Sequence, residues 1–238
     1  MSLKAVLFDF NGVIINDKPI HEKLITQLLI EENLTLKAGE YQKFGLGQSS
    51  RTFLRDFLSA HGRVVKEDYI TQMLLRKAQR YAQELEHLEK LPFYQGLDDL
   101  IFQLRSKDLK IGLVTDAIRK EVEIVFSHNP TLTEYFQIVV AGDDVTLCKP
   151  QPDGYLLAVK RLNQEYPDLQ LQVYECLAIV DSPAGIQAAK NAGMQVVGIA
   201  NTYPFHMLQR QANWTVDYFM DLELERAIEL FSQKESLM

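Results

Sequence analysis

The chain has 238 residues, 47% of them hydrophobic, enough to bury a sizeable core as one large or two smaller domains, which excludes a disordered polypeptide. A formal net charge of -7 excludes a broad nucleic-acid-binding face, although a local basic pocket for a small anion remains compatible with it. The two cysteines, Cys148 and Cys176, have no metal-type spacing, and no secretory leader or membrane span is visible, so reduced thiols in a cytoplasmic protein are expected.

In chain order, the first feature is an apolar run from Val6 that stops at Asp9-Phe10-Asn11-Gly12 before hydrophobicity resumes at Val13. Polar groups where a buried strand ends are where an α/β sheet carries its chemistry, and Gly12 permits a sharp turn there. The segment Asn16-Asp17-Lys18-Pro19 is turn-like, and Pro19 suits the first turn of a helix through Ile20, Leu24, Ile25, Leu28 and Leu29. Helical patterning then continues to about Leu91, interrupted at Phe44-Gly45-Leu46-Gly47-Gln48. A helix is expected over 50–58, and another over 67–89 with Tyr69, Met73, Leu74, Ala78, Tyr81 and Leu85 on its apolar face.

Beyond Leu91-Pro92-Phe93-Tyr94-Gln95-Gly96 the pattern changes to short apolar runs alternating with helices. Strands are expected over 109–114, 136–140, 176–180 and 195–199, with a short edge strand at 216–219. Helices are expected over 98–106, 118–126, 154–162, 186–192 and 222–231. Such alternation calls for a parallel sheet with right-handed crossovers. The expected architecture is therefore α/β: a Rossmann-like core of residues 1–16 and 92–238, with an all-helical cap of residues 17–91 inserted after the first strand. The crossings near 16–18 and 91–95 would form a paired hinge.

The strand ends carry Asp9 with Asn11, Thr115 with Asp116, and Asp181 with Ser182, and Lys149 follows the third run. In a parallel sheet these ends share one edge, so two carboxylates, a hydroxyl and an ammonium converge. That set suits phosphoryl transfer: the carboxylates hold a divalent cation, Lys149 neutralises charge, Thr115 and nearby backbone N–H groups bind oxygens, and Asp9 attacks phosphorus.

The motifs Asp9-Phe10-Asn11-Gly12-Val13, Val114-Thr115, Lys149-Pro150-Gln151-Pro152-Asp153 and Asp181-Ser182-Pro183-Ala184-Gly185 cover nearly the whole core. In order and spacing the chain resembles a haloacid dehalogenase-like hydrolase with a helical cap, in particular the β-phosphoglucomutase and sugar-phosphate phosphatase branch. The resemblance implies Asp9 as nucleophile, Thr115 as phosphate ligand, Lys149 as charge stabiliser, and Asp9, Asp181 and the Asn11 carbonyl as Mg2+ ligands. It implies a small phosphorylated substrate, with neither nucleic acid nor membrane as partner, and leaves the oligomeric state unknown. A dehalogenase would need no metal, and a phosphonatase would need an imine-forming cap lysine; no motif marks Lys43 or Lys66 for that role.

Three positions depart from the family pattern. Asn11 stands where the family has a second aspartate that shuttles the proton, which an amide cannot do near neutral pH. Slow turnover, or a catalytically weak phosphate-binding relative, is the corresponding expectation. Val180 replaces an acidic residue beside the metal, and Asp116 stands where a neutral residue is usual, either as an N-cap of the next helix or as an added charge in the site. Asp116, Ala117, Arg51 and His21 are candidate substrate contacts, with Gly47, Gln48 and Ser50 on the cap loop. Asn11-Gly12 is also a deamidation-prone dipeptide.

Overall fold

The computed structural model describes residues 2–41 and 48–233. Six parallel strands form one sheet: β1 (Ala5–Phe8), β2 (Lys110–Val114), β3 (Ile138–Val140), β4 (Cys176–Val180), β5 (Gln195–Ile199) and β6 (Trp214–Val216), in the order β3-β2-β1-β4-β5-β6. β1 pairs with β2 from Ala5 opposite Lys110 and with β4 from Ala5 opposite Cys176. The order reverses between β1 and β4, and in such sheets the crevice at the strands' carboxyl ends beside that reversal is where ligands bind.

Both faces of the sheet are buried, which explains the near-continuous apolar runs. Val6, Phe8, Ile111, Leu113, Leu177 and Ile179 point to one side, and Ala5, Leu7, Val114, Cys176, Ala178 and Val180 to the other. The first side is covered by α4 (Leu97–Ser106), α5 (Arg119–His128) and α10 (Leu224–Gln233), with the one-turn α6 (Pro130–Thr133) following α5. The second is covered by α7 (Asp153–Glu165), α8 (Pro183–Asn191) and the one-turn α9 (Phe205–Leu208).

Among the described residues, the helices α1 (Lys18–Glu31), α2 (Ser50–Ala60) and α3 (Glu67–Glu86) fall between β1 and α4. No strand occurs among the described residues of 17–91. This is the inserted all-helical unit, and its buried Leu24, Leu28, Phe53, Phe57, Met73 and Tyr81 join the same apolar cluster as Phe10, Val13 and Ile14. The two crossings run side by side: Asn16 N–H donates to Pro92 O at 2.8 Å, and Ile15 bridges to Phe93.

Several details differ from expectation. α3 ends at Glu86 rather than at 89, and its apolar face includes Ile70, whereas Tyr69 is 39% exposed and donates its hydroxyl to Glu32. The edge strand lies at Trp214–Val216, where three ladder positions from Val197 opposite Trp214 define it. The glycine break at 44–47 and Lys43 lie outside the described residues. Cys148 and Cys176 are both free thiols.

Candidate active site

β1 extends its ladder by one residue, Asp9 N–H donating to Ile179 O at 2.9 Å, which holds the Asp9 carboxylate at the crevice. Its Oδ1 accepts the Phe10 N–H at 2.8 Å and its Oδ2 meets Lys149 Nζ at 2.6 Å. Lys149 also donates to Val114 O at 3.0 Å, so the ammonium is tied across the ends of β1 and β2. Both side chains are close to fully buried, 11% and 7% exposed. Burial alone would lower the lysine's pKa, but Asp9, Tyr155 and Asp116 together outweigh it and raise that pKa, so the ammonium stays charged.

Thr115 sits at the end of β2, held by its N–H to Val140 O at 2.9 Å, and its hydroxyl accepts the Ala117 N–H at 3.0 Å. Asp181 ends β4. Ser182 beside it caps α8, accepting from the Gly185 N–H, and Pro183 occupies the helix's first turn. Gly12 has φ +79°, and a Cβ there would lie 1.9 Å from Asp181 Oδ2. Only glycine lets this turn pass so close to the second carboxylate.

These groups line a cavity of about 140 Å³ together with Asn11, Lys18, His21, Tyr41, Gln48, Ser49, Ser50, Asp116, Ala117, Glu121 and Thr202. Its carboxylates outnumber its ammonium groups. Burial and the Asp9 charge push the Asp181 pKa up to about 7. Burial pushes Asp116 up to about 6 against the attraction of Lys149. Asp116 accepts the Lys149 backbone N–H at 3.3 Å, and α5 begins after Ile118 without a side-chain cap, so Asp116 belongs to the site wall rather than to an N-cap.

Two buried carboxylates, Asp9 and Asp181, beside a close-approaching backbone turn are a donor set of hard oxygens that fits a divalent cation. No cluster of three His, Cys, Asp or Glu side chains occurs among the described residues, so Asp9 and Asp181 would need backbone and water oxygens to complete the coordination. Val180 is fully buried on the sheet's far face and contributes none.

The family model for the haloacid dehalogenase-like hydrolases matches residues 6–199. The chain belongs to this family. Among curated proteins it is similar to the phosphatase-named YhcW of Bacillus subtilis, 29% identical over 225 residues covering 93% of this chain and 94% of that protein. The β-phosphoglucomutase of Bacillus subtilis is 27% identical over 238 residues, with 99% and 100% covered. Among solved structures, a β-phosphoglucomutase from Clostridium difficile superposes with a TM-score of 0.80 at 21% identity, covering 98% of this chain and 99% of that one, which shows a shared fold.

Within this haloacid dehalogenase-like crevice Asp9, Asn11, Thr115, Asp116, Ala117, Lys149, Asp181 and His21 come together. Arg51 does not: its guanidinium binds Glu67 at 3.0 Å and Thr71 at 3.3 Å between α2 and α3, because the neighbouring helix places a carboxylate within its reach. Gln48 and Ser50 do line the cavity, and Gly47 lies outside the described residues. Sequence reasoning missed Asp17, Tyr81, Glu121 and Thr202. Thr202 follows the end of β5, and extending the strand-end rule to that strand would have found it. Asp17 was hidden in a polar turn, yet it is fully buried and accepts from Asn11 Nδ2 at 2.8 Å, His21 Nε2 at 3.0 Å and the Tyr81 hydroxyl. Burial works to raise its pKa, but His21 and the three hydrogen bonds outweigh this and hold the carboxyl below its usual range.

No helix among the described residues is long and apolar enough to cross a membrane.

Proposed function

We propose that the chain is a Mg2+-dependent phosphoryl-transfer enzyme of the phosphatase or phosphomutase kind, acting on a small phosphorylated metabolite through an aspartyl phosphate on Asp9. The observation that carries this reading is the 2.6 Å pairing of Asp9 with Lys149 at the sheet's reversal point, with Thr115 and Asp181 on the same cavity wall. Residues 1–16 and 92–238 form the core in this reading, and 17–91 the cap that covers the site and excludes water.

Each side chain then has a part. Asp9 attacks phosphorus; its Oδ1, fixed by the Phe10 N–H, and its Oδ2, held by Lys149, keep the carboxylate aligned. Lys149 offsets charge on the transferring group, and the Thr115 hydroxyl and the Asp116 backbone N–H bind its oxygens, while the Ala117 N–H holds the Thr115 hydroxyl in place. Asp9, Asp181 and the Asn11 carbonyl would hold Mg2+, which supplies further charge neutralisation on the phosphoryl oxygens. His21 lines the cavity from α1.

Asn11 favours a second reading, a weakly active relative that binds phosphate but turns over slowly, because its amide exchanges no proton at neutral pH. Phosphate release from p-nitrophenyl phosphate with Mg2+ separates the two. Asn11→Asp is expected to raise kcat by ~10²–10⁴-fold, the usual worth of general acid–base help. Equal turnover of the two forms would remove Asn11 as the limiting residue, and Mg2+-dependent release from a panel of metabolites by the unaltered chain would remove the second reading.

A further inference from the structure

Behind Asn11 the cavity wall contains groups that the phosphoryl chemistry leaves unused. Three groups converge on a single oxygen of Asp17: Asn11 Nδ2 at 2.8 Å, His21 Nε2 at 3.0 Å and the Tyr81 hydroxyl; Asn11 Nδ2 and His21 Nε2 also lie 3.0 Å apart, and both face the carboxylate as donors when the ring proton is on Nε2. Asp17 Oδ1 and His21 Nδ1 are buried without partners. The His21 ring stacks on Tyr81 at 4.9 Å between centroids, which closes the cluster from the side of α3. An ionised carboxylate offers lone pairs only, so the end of the Asn11 amide that faces Asp17 is its NH2 end. Asn11 lines the cavity, and its amide oxygen receives no hydrogen bond among the described residues. Turning the amide over would set an oxygen against the buried carboxylate and remove one of its donors.

We propose that Asp17 is a positioning residue that holds Asn11 as a hydrogen-bond acceptor toward the ligand, and that the site therefore prefers phosphoryl donors whose leaving group departs as a stable anion, such as acyl and aryl phosphates, over alkyl phosphates. The donor preference rests on the reading of Asp9 as nucleophile. In that step an Asp9 oxygen bonds to phosphorus as the bond from phosphorus to the leaving oxygen breaks, and the leaving oxygen keeps the electron pair. A carboxylate or activated phenolate leaves without a proton, whereas an alkoxide needs one, and an acceptor oxygen at Asn11 has none to give. In the second step the oxygen of water or an alcohol bonds to phosphorus as the bond from phosphorus to Asp9 breaks and the Asp9 carboxylate keeps the electron pair; the Asn11 oxygen accepts a hydrogen bond that orients the attacking hydroxyl, whose proton leaves with the phosphoryl product or to solvent water.

Two measurements on the full chain test this. With Mg2+, turnover of acetyl phosphate, p-nitrophenyl phosphate, phenyl phosphate and glycerol 3-phosphate is expected to fall as the leaving group becomes more basic. The alkyl donor should be slower by ~10²-fold or more, and Asn11→Asp should shrink that gap. Asp17→Asn, nearly isosteric, should change kcat across the series while leaving KM for p-nitrophenyl phosphate within about twofold, as expected for a group acting in the transition state only. In NMR, the Asn11 side-chain NH2 protons should be protected from solvent exchange in the unaltered chain and lose protection in Asp17→Asn. Measurable turnover with a flat leaving-group dependence would overturn the donor preference, pointing to another proton source such as Lys18, while sparing the phosphoryl-transfer reading. Fast exchange of the Asn11 amide would overturn the positioning role. Protection without turnover of any donor would overturn both the phosphoryl-transfer reading and the donor preference, and support the positioning role alone.

Discussion

On the strand-end wall of the cavity, Asp9, Asp116 and Asp181 surround one ammonium, Lys149, whereas on the helical wall each buried charge has its own partners. Asp17 receives three donors, and Lys77 of α3 meets Glu121 of α5 at 2.7 Å with side chains 0% and 4% exposed. The strand-end wall is buried and short of positive charge, so Asp116 and Asp181 are pushed toward protonation, and a cation binding there would offset the negative charge. On the helical wall the charged groups are paired within the protein, Asp17 through one of its oxygens and Lys77 with Glu121. The difference separates groups kept ready for chemistry from groups that fasten the inserted helices to the sheet.

The largest expected effect lies on the helical wall. Lys77→Met leaves the Glu121 carboxylate buried without its partner, and should cost about 3–5 kcal/mol in denaturant unfolding. Adding Glu121→Leu should restore most of it, since a well-packed apolar pair often replaces a buried ion pair at little cost. A loss below about 1 kcal/mol in the single variant would break the contrast between the walls.

A middle-sized effect is expected on the strand-end wall. Asp181 and Asp116 have carboxyl pKa values raised from the ordinary 3.8, to about 7 and about 6. Between 3.8 and those values the folded chain binds more protons than the unfolded one, so these groups' contribution to stability falls as pH rises through that window. In metal-free buffer Tm should therefore decline on going from pH 5 toward neutrality by more in the unaltered chain than in Asp181→Asn. Excess MgCl2 should raise Tm more at neutral pH than at pH 5, because binding there displaces fewer protons. An equal Mg2+ increment at both pH values would show that these carboxyl groups hold no additional protons at pH 5.

The smallest effect sharpens the boundary of the site. Arg51→Ala removes a partly exposed pairing with Glu67 and should cost under about 1 kcal/mol. KM for p-nitrophenyl phosphate should stay unchanged. A tenfold rise in KM would mean that Arg51 leaves Glu67 for the ligand.

The strand-end cluster was legible in the sequence because a buried strand must stop at polar groups, and four apolar runs stop at Asp9, Thr115, Asp181 and the segment before Lys149. The helices were legible from their 3.6-residue period, although one position of phase separates Tyr69 from Ile70, and the period alone did not decide which of the two faces the core. What was not legible depends on distant partners. Asp17 has a turn's local signature and acquires its burial from Tyr81, 64 residues away. Arg51 has the same helical context whether it faces a ligand or Glu67, and only the packing of α2 on α3 decides. β6, three residues long and half-exposed, is defined by its ladder with β5 rather than by its own composition.

The side-by-side crossings at Asn16 and Pro92 have a consequence for assembly. β1 and β2 are neighbours in the sheet although the whole helical insertion separates them in sequence. For an unstructured insertion their pairing bears the entropy of closing a long loop, which grows by only about 0.6 kcal/mol per doubling of length. A chain that folds the helices first brings Asn16 and Pro92 within hydrogen-bonding distance before any strand pairs, and turns the β1–β2 pairing, distant in sequence, into a local one. Order of folding in the helices thereby bears on how fast the sheet can form.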